Sequence, residues 1–166
     1  MTQILFVCTG NIFRSMTAEF ALRALIAREE PTLAPQIRVG SAGIEAKPQA
    51  IHPLVVDRLR EYGLDVSAHR QRRLDAEMLS ATTLCLAMGR DHQRFIQSTF
   101  AQTVPLFNDE VYGQDEPVPD VWEAVPDWQS NKQAAAAHTV GVIDYLIAAM
   151  PTLLKRIKSS HMHMRE

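Results

Sequence analysis

The 166-residue sequence has little of what marks most specialised protein classes. Its two cysteines, Cys8 and Cys85, lie in different segments with no CxxC spacing, which suggests neither a disulfide framework nor a zinc site. A net charge of −2 and a pI near 6.3 give no overall basic field of the kind that nucleic acid or anionic membrane attracts. Any anion must therefore be bound locally. The apolar runs read as too short to span a bilayer, and MTQILFVC has neither the basic start nor the cleavage site of a secretory signal. The expectation is a cytoplasmic protein with no nucleic-acid or membrane partner, whose cysteines stay reduced. No cluster of metal-ligating residues stands out, so neither a metal nor a cofactor is expected.

What is present is enough apolar residue, 46%, to build one core, which gives a single domain over 1–158 and a polar tail over 159–166. QILFV at 3–7 has strand length, and from Thr17 the period becomes helical through Ala18, Ala21, Leu22 and Leu25. QIRVG at 36–40 is a second strand. A helix follows Pro53 with Val55, Leu59 and Tyr62 on one face and Gly63 as its stop. TTLCLAM at 82–88 is a third buried strand with a helix after it, and TVPLF at 103–107 is a shorter fourth. Such alternation predicts an α/β layer fold on a parallel sheet. Residues 108–130 show no clear period and read as a long loop. The last helix starts from a cap at Ser130 or Asn131 and carries Val140, Ile143, Ile147, Met150, Leu154 and Ile157 in one stripe, with a kink or restart expected at Pro151.

The chemistry concentrates in VCTGNIFRS at 7–15, between the first strand and the first helix. Backbone N–H groups at a helix N-terminus have no internal partners and carry partial positive charge, so a loop there attracts anions. Gly10 allows the tight path, and Arg14, six positions after Cys8, can return over the concavity to grip two phosphate oxygens with its planar fork. The field that holds phosphate also favours thiolate over thiol at Cys8. In-line attack on phosphorus then gives a phosphocysteine, with the loop amides of Thr9, Gly10, Asn11, Ile12, Phe13, Arg14 and Ser15 meeting the equatorial oxygens in place of a metal. Ser15 is placed to hydrogen-bond the sulfur. C-x5-R alone arises by chance in many chains, and a strand-end cysteine is commonly a small core residue; placement between strand and helix, with Gly10, Asn11 and Ser15 nearby, is what separates this instance. Cys85, centred in an apolar strand, reads as core.

VCTGNIFRSMTAE, together with VGSAGI at 39–44, LREYGLDVSAHRQRRL at 59–74 and LCLAMGRDHQRF at 84–95, resembles the low-molecular-weight protein tyrosine phosphatase family over nearly the whole chain. The resemblance implies a single-domain, flavodoxin-like three-layer sandwich with a four-stranded parallel sheet. It implies Cys8 as nucleophile, Arg14 as phosphate binder, and Asn11, Ser15, Ser41 and His69 as a network that shapes the loop. It also implies phosphotyrosine-containing proteins as substrates and inorganic phosphate as product, Ile12 matching the phosphotyrosine branch where threonine goes with phosphoarginine. Two departures stand out. Phe13 replaces the second cysteine often found there, which puts oxidative protection of Cys8 in doubt, and Met16 replaces a common proline.

A tyrosine leaving group needs a proton donor, which the family takes from an Asp-Pro pair before the last helix; no such pair occurs here. Two VPD triplets offer Asp120 and Asp127 instead. Counting back from the last helix favours Asp127, counting forward from Phe107 favours Asp120, and Glu123 is a third candidate. Trp122 and Trp128 could wall the pocket or anchor the loop. The leading reading is a metal-independent phosphatase acting on protein phosphotyrosine. A phosphate- or phosphopeptide-binding module without turnover and an arsenate reductase-like enzyme are the alternatives.

Overall fold

The computed structural model describes the backbone of residues 1–163 and the side chains of residues 1–160. The chain runs β1 (Thr2–Cys8), α1 (Arg14–Glu29), β2 (Ile37–Gly43), α2 (Pro53–Glu61), α3 (Ala76–Ala81), β3 (Leu84–Ala87), α4 (Arg90–Phe100), α5 (Phe107–Tyr112), α6 (Val121–Ala124) and α7 (Lys132–His163). The sheet order is β2-β1-β3, and both pairings are parallel. A central parallel strand is covered on both faces, which is why ILFV is apolar without alternation. Ile4, Phe6 and Cys8 face a core that includes Leu22 and Leu25 of α1 and Leu146 and Leu153 of α7. Leu5 and Val7 face the opposite layer, with Leu79 of α3 and Ile96 of α4. Val55 and Leu59 of α2 pack against Met16 and Ile143. Helices thus cover both faces of the sheet, and all strand C-termini converge on one edge, where the connecting loops gather.

The expected fourth strand is reduced to a single parallel bridge, Ala87 to Leu106, so three strands form the sheet. Proline explains this. The Ala87 N–H donates to the Pro105 carbonyl at 3.0 Å, but extending the ladder toward Cys85 would need a Pro105 N–H that does not exist. The segment 108–130 is also not structureless, since α5 and α6 fall within or at its margin. Asn131 caps α7 as expected, its Oδ1 accepting from Ala134 N–H at 3.1 Å.

Helix α7 does not restart at Pro151, which lies inside it on the exposed side, where water can reach the carbonyl deprived of its donor. It takes in the first residues of the expected tail, and residues 164–166 lie outside those described. One expectation about length needs correction: Lys132–Ser160 is long and apolar enough to cross a membrane by length and composition, with mean hydropathy 1.4. Its stripe is the inner face of a core helix, with Val142, Leu146, Ala149, Leu153 and Ile157 covered by the layer that contains α1.

Candidate active site

The loop from Cys8 to Ser15 turns from the end of β1 directly into α1. Its outer side is fixed by β2's extension: Ile44 N–H donates to the Cys8 carbonyl and Glu45 N–H to the Thr9 carbonyl, each at 3.0 Å. With these carbonyls turned out, the loop's N–H groups are left for the concave side. The left-handed backbone falls on Asn11, with φ of 57°, and not on Gly10 as the sequence suggests. Asparagine is one of the few non-glycine residues that tolerates this region.

Asn11 is wholly buried and held on all sides. Its Nδ2 donates to Ser15 Oγ at 2.9 Å and to Ser41 Oγ at 2.8 Å, while its Oδ1 accepts from Arg72 N–H at 3.0 Å. The ring of His69 donates through Nε2 to the Asn11 carbonyl at 2.7 Å. Ser41 in turn donates to Glu19, which pairs with Arg23. Asn11, Ser15, Ser41 and His69 therefore come together as the resemblance implies; Glu19 and Arg72, which sequence reasoning passed over, complete the set. Ser15 Oγ accepts from Asn11 and has two partners for its own hydrogen, the Cys8 sulfur at 2.9 Å and, farther off, the Ala42 carbonyl at 3.4 Å.

Gly43 was also missed. A Cβ there would stand 2.5 Å from the Thr9 carbonyl oxygen and 2.9 Å from Asn11 N, so β2 approaches the loop more closely than any side chain permits. The signal lay in VGSAGI: a glycine at a strand end facing the motif loop.

Arg14 is 1% exposed, yet it lines a cavity of about 510 Å³ together with Cys8, Thr9 and Ile12. Its Nη1 donates to the Val118 carbonyl at 2.9 Å and its Nη2 to Asp120 Oδ2 at 2.8 Å. Val118 is itself tied to the sheet through its N–H to the Met88 carbonyl at 2.8 Å. Asp120 caps α6 and closes a reciprocal box with Glu123, whose carboxylate accepts the Asp120 N–H at 2.7 Å and lies 4.0 Å from Arg14. Asp120 thus reaches the cavity with Glu123 as its support.

The other sequence candidates in this region are placed differently. Asp127 is exposed, accepts from Asn131 Nδ2 at 3.3 Å at the start of α7, and is absent from the cavity lining. Helix α6 and the turns before α7 follow Asp120 in the chain, which separates Asp127 from the cavity. Trp128 walls the cavity, with Lys132 Nζ 5.6 Å above its ring, whereas Trp122 is 54% exposed and is not part of the wall, because the short helix α6 turns Val121 inward in its place. Phe13 lines the same cavity. Burial pushes the Cys85 thiol up to about 12, which suits a core residue and not a reactive one.

The profile described as low molecular weight phosphotyrosine protein phosphatase matches residues 3–160, nearly the whole chain. The chain belongs to this family. Among relatives of this low-molecular-weight phosphatase chain, the probable low molecular weight protein-tyrosine-phosphatase EpsP of Ralstonia solanacearum is 35% identical over 96 residues, covering 57% of this chain and 61% of EpsP. The low molecular weight protein-tyrosine-phosphatase Etp of Escherichia coli is 30% identical over 147 residues, covering 85% of this chain and 86% of Etp. Among solved structures, a mutant of the YwlE arginine phosphatase with a phosphorylated active-site serine superposes with a TM-score of 0.79 at 27% identity, covering 95% of this chain and 96% of that one.

Two predictions follow from the loop's surroundings in this family member. Gly43→Ala forces the loop backbone outward; we expect a stability loss of about 1–3 kcal/mol in denaturant unfolding together with weaker phosphate binding, and an unchanged phosphate affinity would contradict the close approach. The second concerns His92, wholly buried against the loop, whose ring is lowered from 6.5 to about 4 by burial first and by Arg14 second. A folded-state value below the unfolded one means the unfolded chain binds more protons between these limits, so stability falls as pH drops from about 6.5 toward about 4. Between pH 7 and pH 5 the wild type should lose about 2 kcal/mol more than His92→Gln; equal losses would show that His92 does not carry the term.

Proposed function

We propose that this protein is a metal-independent phosphatase that hydrolyses phosphotyrosine in proteins through a phosphocysteine intermediate. The observation that carries the reading is the Cys8 sulfur at the floor of the cavity, in contact with Ser15, beside a buried arginine that lines the same cavity. A guanidinium has five N–H donors, and two are used by Val118 and Asp120, leaving three for a phosphate.

The Cys8 thiolate attacks phosphorus in line, the bond from phosphorus to the phenolic oxygen breaks, and Asp120 protonates the departing oxygen. In the second step Asp120 takes a proton from water, the water oxygen attacks phosphorus, and the sulfur leaves as thiolate with inorganic phosphate released. Ser15 donates to the sulfur in both directions of charge change.

The walls support an aromatic substrate. Ile12, Phe13, Leu54, Val55, Trp128, Ala135 and Ala136 line the cavity, so a flat ring meets apolar contact on its way to Cys8. A reducing cytoplasm would keep the nucleophile as a free thiol. With only Cys8 and Cys85 in the chain and Cys85 buried in β3, an arsenate reductase-like relay of thiols has no second member within the site.

Hydrolysis of an aryl phosphate in the presence of a chelator tests the class, with Cys8→Ser losing turnover while still binding phosphate; a Cys8→Ser variant at wild-type rate would rule the scheme out. Asp120→Asn should slow phenyl phosphate about a hundredfold or more and p-nitrophenyl phosphate less, because the better leaving group needs less proton donation. Asp127→Asn should stay within about twofold on both. The reverse ranking would move the acid to Asp127.

A further inference from the structure

Thr9 lines the cavity beside Cys8, and among the described residues its hydroxyl is hydrogen-bonded to His92 Nε2 alone, at 2.9 Å. His92 is wholly buried, and its Nδ1 accepts the Gly89 N–H at 2.9 Å, so that nitrogen carries no proton. Burial and the Arg14 guanidinium keep the ring neutral, which leaves its single N–H on Nε2. The other charged groups acting on the ring are Asp91, whose Oδ2 is 3.5 Å from Nε2, and Asp120. The shorter contact of Nε2 is to Thr9, so the Thr9 oxygen is an acceptor from His92.

The direction of that bond decides where the remaining hydrogen goes. With its oxygen already accepting, the Thr9 hydroxyl must donate elsewhere, and among the described residues it has no acceptor. The Asp120 carboxylate in the same lining is engaged by Arg14 and by the Val121 N–H. A donor facing a cavity that also holds the Arg14 guanidinium is matched by an anionic oxygen.

We propose that the Thr9 hydroxyl donates a hydrogen bond to a non-bridging oxygen of the bound phosphoryl group, and that His92 is the positioning residue that aims it. Thr9 then supplies the loop with a side-chain donor in addition to its backbone N–H. His92 touches no substrate atom; it fixes which way the hydroxyl points. The identity of the substrate rests on the phosphatase reading, but the contact itself is to phosphate and is testable without turnover.

The test is titration of wild type, Thr9→Val, Thr9→Ser, His92→Gln and the Thr9→Val/His92→Gln double variant with inorganic phosphate, by calorimetry on folded protein at pH 7. Thr9→Val keeps the branched shape without the hydroxyl, and its phosphate dissociation constant should rise about tenfold, with Thr9→Ser recovering most of the loss. His92→Gln should weaken phosphate in the same direction, and the double variant should bind no more weakly than Thr9→Val, because one contact can be lost only once. A merely structural role would shift melting temperature and leave phosphate affinity alone. Wild-type affinity in Thr9→Val, or losses that add in the double variant, would overturn the proposal. Should His92→Gln fail to fold, Thr9→Val against Thr9→Ser still decides. If the wild type binds phosphate but hydrolyses no aryl phosphate, the enzymatic reading fails while this contact is judged by the same titration.

Discussion

The site depends on the Asn11 side chain, whose hydrogen-bonding groups are all engaged within the protein. A left-handed residue in the middle of a loop is costly to hold, and an isolated loop would not hold it. Here Asn11 is bound to Ser15 at the head of α1, to Ser41 on β2 and to the backbone of Arg72, three separate parts of the chain meeting at one amide. That convergence is possible only because β1 and β2 are adjacent and parallel, which brings Cys8 level with Gly43 at the same sheet edge. A buried, fully bonded polar group of this kind is expensive to disturb, so the loop is preorganised before any anion arrives.

Arg14 links this rigid half to the segment that carries Asp120. One edge of its guanidinium holds Val118 and Asp120, so the segment that carries the carboxylate is fastened to the residue that would grip phosphate. The segment is braced independently by Met88, by Glu123, and by His138, whose ring meets the Pro119 carbonyl at 3.0 Å. The motif loop and the Asp120 carboxylate are therefore joined through the Arg14 side chain. A lysine at position 14 would keep the charge and lose the two-sided fork.

Much of this was legible in the sequence where local rules and global fold agree. The apolar run of β1, the loop after it and the helical period of α1 each point to the same strand-loop-helix unit, and Cys8, Arg14 and Ser15 follow from it. The left-handed residue was assigned to Gly10 by composition, but Asn11 takes it because tertiary hydrogen bonds supply what propensity does not. The fourth strand failed on one missing proline donor, a matter of ladder register that an apolar pattern cannot register. His92 was invisible for a different reason: it matters through a contact with a residue dozens of positions away, whereas Gly43 left a signal, a glycine at a strand end, that only its approach to the loop explains. The sequence left the acid open because counting from either end of the loop reached a different residue; the fold of α6 sets Asp120, and not Asp127, in the cavity lining.

The central claim is that the Cys8 sulfur receives the phosphoryl group. It is tested most directly by mixing the enzyme with excess aryl phosphate, quenching with acid within milliseconds, and locating the added phosphate by mass spectrometry of peptides. The expected result is a phosphorylated peptide that contains Cys8, its phosphate released by iodine, which cleaves phosphorus–sulfur bonds and leaves phosphate esters of oxygen intact. Turnover of the same substrate with no phosphate trapped on Cys8, or with phosphate trapped on a different residue, would contradict it.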